Sequence, residues 1–181
     1  MLHFSKIQTL IIILSFLSII SCRRVEVNKN VREMREKPVI LPLDNMLCIG
    51  DSEQREDTKE HTWIVYHDSV YCKPCLIGHL PDWDSIRIHP MTDCVFIFSA
   101  KSKEVPQYIK AYEENNIAAK VYLDTAEVFL KSNPHIPKES IYHTFLIDNH
   151  NSILLVGNPI KNEGIGRIYE KIRNTSKYQT K

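Results

Sequence analysis

The chain has 181 residues, 43% of them hydrophobic and 25% charged, with a formal net charge of +1. That is one ordinary domain with a core of its own, and wholesale disorder is excluded. Lys6 is the only charged residue among the first 21, and the rest carries 22 charges of each sign, so there is no electrostatic case for nucleic acid as a partner.

The elements follow in chain order. Leu10 to Ile20 is almost entirely apolar behind the positive charge of Lys6. It is too short to span a bilayer, which takes roughly twenty residues, but long enough for the core of an export signal. Residues 1–21 therefore read as a signal peptide, with an uncleaved signal anchor as the other reading. Residues 22–37 are polar, with sparse apolar positions, and read as a tether, helical in part. Residues 38–181 read as the folded domain.

Within that domain Val39 to Ile49, broken by Pro42 and Asp44, suits an edge strand. Residues 50–61 read as a charged loop. Thr62 to Tyr66 is rich in β-formers, and Cys72 to Ile86 suits a helix interrupted by Pro81. Cys94 to Phe98 is apolar throughout, as in a strand buried on both faces. Val105 to Asn115 places Tyr108, Ile109 and Tyr112 at helical spacing. Lys120 to Leu123 is a short strand, and Ala126 to Lys131 a short helix. Thr144 to Asp148 and Ser152 to Val156 form a hairpin about Asn149-His150-Asn151, and Ile165 to Ile172 a closing helix. The order predicts an α/β fold: a mixed central sheet flanked by helices.

Ser18-Ile19-Ile20-Ser21-Cys22 resembles the lipobox of bacterial lipoproteins. The resemblance implies acylation of Cys22 and attachment to the lipid membrane. Ile20 is bulkier than usual for that motif. Without Cys22, four cysteines remain: Cys48, Cys72, Cys75 and Cys94. An even count in an exported chain makes disulfides plausible. Cys48 and Cys94 read either as a pair or, preferably, as two small buried apolar residues.

Cys72-Lys73-Pro74-Cys75 carries the chemistry. The motif follows a strand and opens a helix, where unpaired N–H groups and the helix dipole stabilise a thiolate. Lys73 adds positive charge, and Pro74 fits the first turn, where its missing N–H costs nothing. Cys72 is then the nucleophile and Cys75 the resolving thiol.

From about Thr62 to Ile172 the element order and this motif resemble the thioredoxin fold, most closely the periplasmic lipoproteins of the TlpA and ResA type. Tyr66-His67-Asp68-Ser69, Trp83 and Gly157-Asn158-Pro159 also resemble a group of thioredoxin-like lipoproteins. The likeness implies a thiol–disulfide oxidoreductase in the cell envelope, facing the periplasm, acting on exported protein thiols or disulfides, with a membrane redox partner and no cofactor. A non-catalytic module with the same fold, metal-binding or scaffolding, is the alternative.

Three positions depart from the thioredoxin pattern. His143 stands where a cis-proline is usual, ahead of Thr144; Tyr71 replaces a tryptophan; Tyr66 replaces a buried acid. His143 with Cys72 and Cys75 would supply three soft ligands for Cu(I) or Zn(II). The simpler reading is that His143 bonds the loop or assists proton transfer. Asp68 and Ser69 suit helix capping, Trp83 the core, and His67, His79, His89, His135 and His150 solvated or structural roles. There is no Ser-His-acid arrangement and no glycine-rich phosphate loop.

Overall fold

The computed structural model describes residues 25–50, 59–68, 76–115, 117 and 119–176, together with residues 8 and 12. Its strands are β1 (Leu47–Ile49), β2 (His61–His67), β3 (Thr92–Ser99), β4 (Val121–Asp124), β5 (Thr144–Asp148) and β6 (Ile153–Val156). Its helices are α1 (residues 25–34), α2 (Asp84–Arg87), α3 (Val105–Glu114), α4 (Val128–Ser132) and α5 (Glu163–Ser176). Among the described residues no helix is long and apolar enough to cross a membrane.

The strands form one sheet in the order β1-β4-β3-β2-β5-β6. β2, β3 and β4 run parallel, and β1, β5 and β6 are antiparallel to their neighbours. β2 and β3 lie at the centre and bury nearly every residue, which is why they read as unbroken apolar runs.

Side chains alternate between the two faces of a strand, so the sheet has two cores. Trp63, Val65, Phe96, Phe98 and Leu146 face one way, against Trp83, Tyr108 and Tyr169 of the helical layer. Trp63 meets Trp83 and Tyr169 edge-on, at centroid distances of 5.8 and 5.5 Å. Ile64, Tyr66, Val95, Ile97 and Phe145 face the other way, against Met34, Phe129 and Tyr142.

That second face explains α1. The five-residue α4 is too short to cover it alone. α1 lays Val27, Val31 and Met34 on it, and Met34 is wholly buried. Asn30 Nδ2 donates to the Tyr142 hydroxyl (3.0 Å), and Arg35 Nε donates to the Ile153 carbonyl (3.1 Å). Residues 25–35 are thus part of the domain, a correction to the tether expected over 22–37. Spacings of four and three residues between these apolar side chains give one helical face, although charged residues surround them.

Cys48 corrects a second expectation. It is exposed on β1, opposite Tyr122, rather than buried; Cys94 is buried on β3, and both are free thiols. The edge strand is also shorter than expected, because Leu43–Asn45 forms a 3-10 turn after Pro42.

Candidate functional site

The site is built where β2 ends and β5 begins. His143 closes the 3-10 turn Ser140–Tyr142, its N–H bonded to the Ser140 carbonyl (3.1 Å). Its own carbonyl accepts the Tyr66 N–H (2.8 Å), which extends the β2–β5 ladder by one step. Among the described residues there is no cis peptide bond. The His143 side chain is 2% exposed, with Nε2 3.0 Å from the Pro137 carbonyl oxygen and Nδ1 without a hydrogen-bond partner. Burial holds its pKa below the usual histidine value, against the opposing pull of the Pro137 carbonyl, Asp68 and Glu139.

Tyr66 packs edge-on against the His143 ring at 5.0 Å and stacks on Phe129 at 5.1 Å. Burial pushes its phenol up to about 12, outweighing a hydrogen bond with Ser99. Such a hydroxyl stays protonated at neutral pH. His67, the last residue of β2, stacks on Phe98 at 4.9 Å. Burial, reinforced by Lys161, pushes it down to about 4, so its imidazole is neutral at pH 7.

These groups border a cavity of about 600 Å³. Val27 and Val31 of α1 form one wall; Leu76, Val156 and Ile165 add apolar surface; Asp68, Thr144 and Lys161 add polar groups. Gly157 makes the turn that closes it. At φ 122° only glycine is unstrained, and a Cβ there would sit 3.1 Å from Ile165. The Gly157 N–H donates to the Thr144 carbonyl (2.8 Å). Asn158 Oδ1 accepts the N–H groups of Ile160 and Lys161 at 2.9 and 3.0 Å, which fixes the loop carrying Lys161.

Of the residues singled out from the sequence, His143 and Thr144 both line this cavity. Cys72, Lys73, Pro74, Cys75 and Cys22 lie outside the described residues, as do Ser69 and Tyr71. The residues bracketing the Cys-x-x-Cys segment, Asp68 on one side and Leu76 on the other, line the cavity as well. His67 and Asp68 border the same cavity, and the stacking of His67 on Phe98 is the structural role expected of it. Among the described residues no three His, Cys, Asp or Glu side chains are grouped to hold a metal ion.

No protein-family model matches the chain, and no curated protein matches it. Its structure superimposes on a cysteine-to-serine mutant of PrxQ from Xylella fastidiosa with a TM-score of 0.52, at 12% identity, over 77% of this chain and 95% of that one. The chain has a thioredoxin-like fold. Two other solved structures are similar to this thioredoxin-like chain at lower scores. A candidate thiol-disulfide oxidoreductase from Bacteroides vulgatus has a TM-score of 0.49 and 12% identity, over 72% of this chain and 88% of that one. An uncharacterized thioredoxin-like protein from Porphyromonas gingivalis has a TM-score of 0.45 and 14% identity, over 68% and 78%. In this thioredoxin-like sheet, His143 holds the position immediately before β5 expected of it.

Proposed function

We propose that this chain is a thiol–disulfide oxidoreductase of the envelope, similar to the TlpA and ResA type, anchored by lipid on Cys22 and facing the periplasm. One observation carries the reading. Asp68 and Leu76, which flank the Cys72–Cys75 segment, both border the cavity holding His67, His143 and Thr144. In the sequence, the Cys-x-x-Cys motif falls between these two cavity-lining residues.

In this reading Cys72 is the thiolate, stabilised by the start of its helix and by Lys73. It attacks one sulfur of a substrate disulfide. The substrate S–S bond breaks, its electron pair leaves on the other sulfur, and that thiolate takes up a proton. Cys75 then attacks Cys72, releasing the second substrate thiol and leaving a Cys72–Cys75 disulfide. Run backwards, the same steps oxidise a substrate dithiol. Exported protein thiols or disulfides are the substrates, and a membrane redox partner resets the pair.

Thiol labelling against pH tests the site. Cys72 is expected to ionise well below the free-cysteine pKa of about 8.5. Ordinary labelling at both cysteines, with no reduction of a disulfide substrate, overturns the reading. The reduction potential of the pair sets the direction. Loss of palmitate incorporation in Cys22→Ala tests the anchor.

A further inference from the structure

The docking of α1 fixes where the chain enters the domain. Val27 and Val31 wall the cavity, and Met34 is wholly buried. Asn30 Nδ2 donates to the hydroxyl of Tyr142, on the 3-10 turn that leads into His143, so helix and turn are tied together. Val25, where the described helix begins, is three positions after Cys22. Three extended residues reach at most about 10 Å. Whatever holds Cys22 therefore holds this side of the cavity close to itself.

The surface at that point is unusually apolar. Val25 is 66% exposed, Ile141 55% and Ile160 40%. Ile141 lines the cavity, Ile160 precedes the lining residue Lys161, and Val25 stands two residues before Val27. Each is held on ordered backbone. Val25 is on α1, Ile141 on the turn bonded to α1, and the Ile160 N–H is held by Asn158 Oδ1. Exposed aliphatic side chains scattered singly are ordinary, but three around one concave mouth mark an interaction surface. The exposed charges among them are mixed, Lys161 against Glu26, Glu139 and Glu163. That pattern suits an apolar boundary and gives no field for a polyanion.

We propose that the rim formed by Val25, Ile141 and Ile160 rests on the bilayer that holds Cys22, so that the cavity opens at the lipid surface. The proposal rests on the lipid anchor of the reading above and adds to it the orientation of the domain. The short link keeps the rim at high effective concentration beside the membrane. The three side chains then seat at the boundary of headgroups and acyl chains, as the apolar face of an interfacial helix does. The other end of the sheet is turned to solvent. Ile88 marks that end: it is 76% exposed and lies four residues before β3, whose first residue, Thr92, pairs with His61 at the start of β2. The cavity is at the opposite end of β2, beside His67.

The test uses the acylated full chain in vesicles of phosphatidylcholine, with Cys48, Cys72 and Cys75 replaced by serine and the buried Cys94 left in place. An environment-sensitive fluorophore is attached in turn to Ile141→Cys, Ile160→Cys and Ile88→Cys, three exposed positions where substitution leaves the core intact. Flotation with the vesicles reads the anchor, and quenching by nitroxide-labelled phosphatidylcholine reads the orientation. Emission at 141 and 160 should shift to the blue and fall at least about twofold with quencher, while the label at 88, about 20 Å away along β2, changes little. Equal quenching at all three positions, or quenching at 88 alone, overturns the proposal. So does a chain that floats with the vesicles while 141 and 160 stay unquenched, which leaves that face open to a protein partner. A chain with Cys22 intact that does not float at all defeats the anchor reading itself, and the orientation goes with it.

Discussion

Asn133 holds Ile40 by both of its main-chain groups: Oδ1 accepts the Ile40 N–H and Nδ2 donates to the Ile40 carbonyl, each at 2.8 Å. The same Nδ2 donates to the Phe129 carbonyl at 2.8 Å, and the residue is wholly buried. One side chain thus does the work of a strand neighbour for the segment leading out of α1, and ties it to the end of α4. We expect Asn133→Ala to destabilise the fold by about 2–4 kcal/mol, because backbone groups lose their partners. A lower urea midpoint with an unchanged slope is the result that checks it.

Met34 anchors α1 itself. It is fully buried against the sheet face that also holds Ile64, Phe145 and Ile153. Truncation to alanine should cost about 2–5 kcal/mol. It should also release the helix, which is the informative part. Trypsin cutting after Arg32 is expected to be slow in wild type and fast in Met34→Ala. Equally fast cleavage in both would mean that α1 is not docked and that the segment is a tether after all.

The contrast between α1 and the sheet shows what was legible in the chain. β2, β3 and β5 announce themselves, because a strand buried on both faces must be apolar at consecutive positions. α1 has only Val27, Val31 and Met34 to mark it, interleaved with charges that face solvent. Helical spacing was there to be read, but the polar composition outweighed it. The place of His143 immediately before β5 was legible from the order of elements. Its bare Nδ1 was not, since that depends on a carbonyl six residues away in the chain. The depressed pKa of His67 was not legible for a related reason: Phe98 and Lys161 set its character, and both arrive through tertiary structure.

His67 should make the protein acid-sensitive. Its folded pKa is about 4, against about 6.5 for an ordinary histidine. The unfolded chain therefore binds more protons than the folded one in that window, and stability falls as pH falls. The contribution is complete above pH 6.5 and is lost progressively toward pH 4. Between pH 7.5 and pH 5 it amounts to about 2 kcal/mol. Replacing the ring by His67→Phe keeps the stacking surface on Phe98 and removes the titration. Unfolding free energies should then depend less on pH across that range, and an unchanged pH dependence would show that His67 titrates normally.

Cys48 and Cys94 offer a separation that needs no mutation. Cys48 lies exposed on β1, at the edge of the sheet, where a reagent reaches it from solvent. Cys94 lies in the Trp63 core on β3, opposite Trp63, and burial pushes its thiol far above the ordinary range, so it carries almost no thiolate at neutral pH. Reaction with iodoacetamide requires both access and ionisation, and Cys94 has neither. Peptide mapping of the reduced native protein should show Cys48 modified within minutes and Cys94 untouched until denaturant is added. The rate at Cys94 should then track global unfolding, because its strand is central in the sheet. Modification of Cys94 at the Cys48 rate under native conditions would contradict its place in that core.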